Sequence, residues 1–75
     1  MRLMVGDGCH LCVDAVAVAT QACDAAGADL EIVPIDGDPD LEAAYRARLP
    51  VAEVDGREVG RYVLEPDLLM LALVR

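Results

Sequence analysis

Residues 9–12 read Cys9-His10-Leu11-Cys12, shortly after the apolar run Leu3-Met4-Val5 and before an alanine-rich stretch ending at Ala26. Two cysteines three apart can be a metal clip, a staple or a redox pair. In a helix, three residues rise about 4.5 Å and turn about 300°, so both thiols lie on one face. Their α-carbons then stand about 5 Å apart, inside the roughly 4.4–6.8 Å window of a disulfide. So small a loop constrains the unfolded chain little, which suits switching better than stapling. A zinc site takes about four ligands, usually from two pairs. Only Cys9, Cys12 and His10 are local, so no metal site is expected within one chain.

Outward from this motif, the chain divides into short elements. Leu3-Met4-Val5, stopped by Gly6-Asp7-Gly8, reads as a buried first strand. Cys12 to Ala26 reads as the first helix, closed by Gly27 as a C-terminal cap. Leu30 to Ile35 is apolar and β-branched and predicts a second strand. Pro34 cannot donate to a ladder, which puts that strand at a sheet edge. Asp38 as N-cap and Pro39 at the first helical position open a second helix, Leu41 to Arg48. Arg46 and Arg48 would lie in its last turn, where the macrodipole favours cations. Asp55-Gly56 between Val51-Val54 and Glu58-Val63 is a hairpin signal, because both turn positions favour positive φ. Pro66 opens a final helix, Asp67 to Arg75.

The order β-α-β-α-β-β-α predicts an α/β domain spanning residues 1–75. The helix-joined first pair of strands is parallel and the last pair antiparallel, giving a mixed four-stranded sheet flanked by helices.

The chain of 75 residues has 56% hydrophobic residues and a formal net charge of −8. That balance supports a small core and disfavours nucleic acid and anionic lipid as partners, since both recruit positive charge. The longest apolar run, Leu68 to Val74, falls well short of the roughly 20 residues a membrane helix needs. No targeting segment is read in Met1 to Gly8, so a cytoplasmic location is expected. In that reducing setting a Cys-x-x-Cys pair is catalytic or metal-binding more often than structural. Cys23 reads as a small buried hydrophobe, about 16 Å along the helix from Cys12. Arg57 and Arg61 read as solvated. The last helix is apolar on all sides, which predicts a deeply buried terminus or contact with a second copy; a monomer or weak homodimer is expected.

The strand–Cys9-x-x-Cys12–helix junction, the Leu49-Pro50-Val51 step, the Asp55-Gly56 hairpin and the acidic turn and helix from Asp36 to Tyr45 together resemble the thioredoxin-like superfamily. Within it they are similar to small glutaredoxin-like domains. The resemblance covers essentially the whole chain. It implies a thioredoxin-like fold with Pro50 in a cis peptide beside the cysteines and Leu49 offering its backbone to an extended substrate. His10 and Leu11, between the cysteines, join Leu49 and Pro50 as substrate-contacting candidates. Two departures concern glutathione, which the resemblance implies as a ligand. Gly6-Asp7-Gly8 stands where a basic residue usually precedes the first cysteine. Leu64-Glu65-Pro66-Asp67 stands where a Gly-Gly and Asp signature grips glutathione. No bound cofactor is expected.

The expected chemistry follows from helix position. Cys9 lies at the helix N-terminus, where free N–H groups favour an anion and thiol pKa values fall from about 8.5 to about 3.5–7.5. Cys9 is the expected nucleophile on a protein or small-molecule disulfide, and Cys12 the resolving thiol. A protonated His10 would favour the thiolate and Asp7 would oppose it. Two other readings stay open: a thioredoxin-fold adaptor with little general activity, and a carrier in which Cys9 from two chains holds an iron–sulfur cluster.

Overall fold

Leu3 and Met4 are adjacent, fully buried and on opposite faces of the first strand, so that strand lies between two apolar layers. A computed structural model describes residues 1–74. The chain runs β1 (Arg2–Val5), α1 (His10–Ala26), β2 (Glu31–Pro34), α2 (Pro39–Tyr45), a 3-10 turn (Arg46–Arg48), β3 (Val51–Val54), β4 (Arg57–Arg61) and α3 (Pro66–Leu73). The sheet order is β2-β1-β3-β4. β1 and β2 are parallel; β1/β3 and β3/β4 are antiparallel. This is the mixed four-stranded sheet of a thioredoxin-like α/β fold.

The layer holding Leu3 contains Ala15, Ala19 and Ala22 of α1, Ala52 of β3, and Leu64 and Leu69. The alanines recur every three or four residues, so α1 presents a narrow small-residue stripe that lets it lie close to the sheet. The layer holding Met4 contains Ile35 and Val51, with Leu41, Tyr45 and Leu49 packed around them. Each large side chain buried in this way contributes roughly 1.5–3 kcal/mol.

Turn chemistry places the ends as expected. Gly27 caps α1 in the left-handed region, and Asp38 accepts from the N–H groups of Asp40 and Leu41 at the start of α2. Asp55 and Gly56 both take positive φ in the hairpin. β2, with Pro34, lies at the sheet edge.

Six expectations need correction. α1 starts at His10, not Cys12, because Cys9 itself serves as N-cap. The second helix stops at Tyr45, and Arg46–Arg48 tighten into a 3-10 turn. Arg46 and Arg48 form ion pairs with Asp36 and Glu58, so specific carboxylates fix them rather than the helix dipole. Arg61 is not free in solvent, since its Nε donates to Glu58 at 2.6 Å. The final helix ends at Leu73, and Arg75 lies outside the described residues. α3 is not deeply buried: Leu69 packs inward while Leu68 and Leu71 face outward.

Candidate functional site

The cysteine pair stands where β1 hands over to α1. After Val5, three residues turn the chain up to the helix, and Gly8 takes φ +73°, a conformation that side chains resist. Cys9 follows with φ −92° and ψ 100°, the extended backbone of an N-cap. Its Sγ accepts the backbone N–H of Cys12 at 3.2 Å. The same N–H also donates to the Cys9 carbonyl at 3.2 Å, and a donor aimed at the sulfur from the first helical turn favours the anionic form.

Cys9 and Cys12 are joined by a disulfide, with α-carbons 5.3 Å apart. Cys9 is partly exposed, whereas Cys12 is only 6% exposed. His10 and Leu11 both project toward solvent from the first turn. Cys23 is buried as a free thiol further along α1. Burial pushes its thiol pKa up, and the nearby charges of Asp24 and Asp29 add to the shift.

The Leu49–Pro50 peptide is cis. Val51 pairs with Met4 across the antiparallel β1/β3 ladder, so one further step puts Pro50 level with Val5, at the end of β1 that leads to Cys9. Pro50 is fully buried, and its carbonyl accepts from the Tyr62 N–H at 3.0 Å. The sheet thus brings the cysteine loop and the proline segment to the same end.

Two side chains and a glycine tie those segments together. Asp36, just after β2, accepts the backbone N–H of Asp7 at 2.8 Å through Oδ2. Its Oδ1 accepts from Arg46 Nη2 at 2.5 Å. Arg46, and the Asp7 N–H after it, hold the Asp36 carboxyl below the usual carboxylate range. Gly6 completes the knot. A Cβ there would lie 2.7 Å from Leu49 Cδ1 and 3.0 Å from Arg46 Nη1, so a larger residue would make these side-chain ends shift. Sequence patterning showed the glycines but not these contacts, because residues 7, 36 and 46 meet only through the sheet.

A groove of about 430 Å³ opens beside the pair. Val5, Gly6, Val13 and Val16 form its apolar walls, and Cys9 and Cys12 lie in it. Val13 and Val16 had gone unmarked in the sequence, where they look like ordinary helix residues. A smaller groove on another side of α1 is lined by Leu11, Val18, Tyr62 and Val63. Among the described residues, no group of three or more His, Cys, Asp or Glu side chains gathers as it would around a metal ion.

The family model of the glutaredoxin-like domain (DUF836) matches residues 1–70. The chain belongs to this glutaredoxin-like family. No curated protein and no solved structure matches it. A glutaredoxin-like domain with a Cys9-x-x-Cys12 pair at the start of its first helix fits a redox role in a thioredoxin fold. No helix among the described residues is long and apolar enough to cross a membrane.

Proposed function

We propose that this glutaredoxin-like domain is a dithiol–disulfide oxidoreductase in which Cys9 is the nucleophile and Cys12 the resolving thiol. The observation that carries the reading is the asymmetry of the pair: Cys9 is the partly exposed N-cap whose sulfur accepts a helix N–H, while Cys12 is buried behind it. The thiolate is the attacking species, and the N-terminal end of α1 stabilises it.

In the first step the Cys9 thiolate attacks one sulfur of a substrate disulfide. A Cys9–substrate disulfide forms, the substrate S–S bond breaks, and the other substrate sulfur leaves as a thiolate. Cys12 then loses its proton to solvent and attacks the Cys9 sulfur. The Cys9–Cys12 bridge forms and the second substrate thiolate leaves. Two electrons have passed from the pair to the substrate. A thiol or dithiol donor returns them and is oxidised to its own disulfide.

Leu49 and Pro50 precede β3 at the end of the sheet that leads to Cys9, and His10 and Leu11 are exposed in the first turn of α1. These four are the proposed substrate contacts. The cytoplasm, whose thiol pool would supply the donor, is the proposed location.

The test is reduction of a protein disulfide such as insulin, driven by an excess of dithiol. The wild type is expected to accelerate the reaction, and Cys9→Ser to fall to the uncatalysed rate. Equal rates for the two proteins would leave the adaptor reading in its place.

A further inference from the structure

We propose that the redox site takes the disulfide of a protein segment whose cysteine is flanked by basic and apolar residues, and that it disfavours anionic thiols such as glutathione. This rests on the oxidoreductase reading above and names its substrate class.

The first observation concerns the arginines. Five lie among the described residues, and four are already held by carboxylates of the chain. Arg2 pairs with Glu31, Arg46 with Asp36 and Glu42, and Arg48 and Arg61 share Glu58. The fifth, Arg57, adjoins the Asp55-Gly56 turn. The β1/β3 register puts Glu53 beside Arg2 and Val51 beside Met4, so that turn lies at the end of the sheet away from Cys9. A ligand carrying two carboxylates would have to displace Asp36 from Arg46 or Glu58 from its two arginines. Breaking a carboxylate–guanidinium pair to make another gains little.

The second observation concerns the two grooves beside the first turns of α1. Each is mainly apolar and carries one aspartate, Asp7 in the larger and Asp14 in the smaller. No arginine lines either of them. Both aspartates are exposed, and the formal net charge is −8. On approach, the net charge and these aspartates therefore favour cationic over anionic partners, while the N-terminus of α1, with His10 also lining the larger groove, favours an anion only at the Cys9 sulfur itself.

The third observation is the apolar surface around the pair. Val13 is 73% exposed, Val63 68% and Leu11 42%, spread over both grooves. A small disulfide fills one groove and leaves the other wet. A peptide segment crossing Cys9 can put apolar side chains against Val13 and Leu11 and basic ones near Asp7 and Asp14. Apolar contact then supplies affinity, while charge sets the encounter rate and the choice of partner.

The test uses the pre-reduced protein in single turnovers, so the substrate disulfide is the sole oxidant. Two peptide disulfides are compared, identical except for Lys and Leu beside the cysteine in one, and Glu and Ser in the other. Neutral hydroxyethyl disulfide and oxidised glutathione complete the series. At low ionic strength the basic peptide is expected to react at least about tenfold faster than the acidic one, with glutathione slowest. Salt should compress that ratio, and Asp7→Asn combined with Asp14→Asn should lower it further. Exchange with all four disulfides at equal rates, or fastest with glutathione or the acidic peptide, would overturn the substrate assignment alone. No exchange with any of them, the neutral disulfide included, would overturn the oxidoreductase reading and this assignment with it.

Discussion

Asp36 and Arg46 meet at 2.5 Å, and the same carboxylate holds the Asp7 N–H at 2.8 Å. One acidic side chain therefore links the loop before Cys9 to the segment before Pro50. Removing the link should let the two halves of the site move apart. Asp36→Asn keeps an acceptor for Asp7 but loses the ion pair. Disulfide exchange by this variant is expected to slow by about threefold to tenfold, since small misplacements of reacting groups are costly. Stopped-flow rates of the reduced protein measure it.

The same contact predicts an acid limit. Hydrogen bonding from Arg46, then from the Asp7 N–H, lowers the Asp36 pKa below its ordinary value of 3.8. A depressed carboxyl contributes stability that is complete above the ordinary value and lost as pH falls through the lower, folded-state value. Urea midpoints of the wild type should drop across that acidic window. Those of Asp36→Asn should drop less.

Tyr45 makes the opposite prediction at high pH. Its hydroxyl donates to Glu53 at 2.6 Å, and that bond, followed by burial, raises its pKa above 10.0. A raised phenol contributes stability that is complete below the ordinary value and lost as pH climbs through the higher folded one. Ultraviolet titration should show Tyr45 ionising above the unfolded chain. Glu53 also faces Glu58 in the β3/β4 register, and the two carboxylates avoid conflict because Tyr45 takes one while Arg48 and Arg61 take the other. Tyr45→Phe should cost roughly 0.5–1.5 kcal/mol in chemical denaturation.

Gly6→Ala should disturb the site more than the fold. The added carbon would press on Leu49 and Arg46. Because both contacts are ends of flexible side chains, the cost should lie near or below the lower end of the roughly 1–3 kcal/mol typical of overpacking. Exchange should slow as well, because Leu49 leads directly into Pro50. Normal stability and normal rates in this variant would show that the close approach is not needed.

Much of this was legible locally. The Asp55-Gly56 hairpin, the Gly27 stop, the Asp38-Pro39 start and the edge position forced by Pro34 each rest on one or two residues with a single favoured conformation. The start of α1 was misplaced by two residues, because a cysteine serving as N-cap has no propensity signature. The end of α2 was misplaced because Arg46 and Arg48 look like ordinary final-turn cations. Which carboxylates hold them depends on contacts ten residues away in sequence. The cysteine pair and the proline were visible as site residues. Asp36, Gly6 and Val13 were not, since their roles arise only when the sheet brings separate loops to one end.

Cys23 offers a control on the same helix. It is 2% exposed, and burial raises its thiol pKa. In the reduced native chain, iodoacetamide should label Cys9 first and reach Cys23 only on unfolding. Cys23→Ala should leave exchange rates within about twofold, with about 1 kcal/mol lost to the small cavity.

The most direct measurement is intact-mass detection of the covalent intermediate. Reduced Cys12→Ser and reduced Cys9→Ser are each mixed with hydroxyethyl disulfide and quenched with acid. With its resolving thiol gone, Cys12→Ser should accumulate one adduct, mapped to Cys9. Cys9→Ser should stay largely unmodified over the same interval. Equal adduct formation on the two variants, or faster reaction through Cys12, would contradict the assignment of Cys9 as the nucleophile.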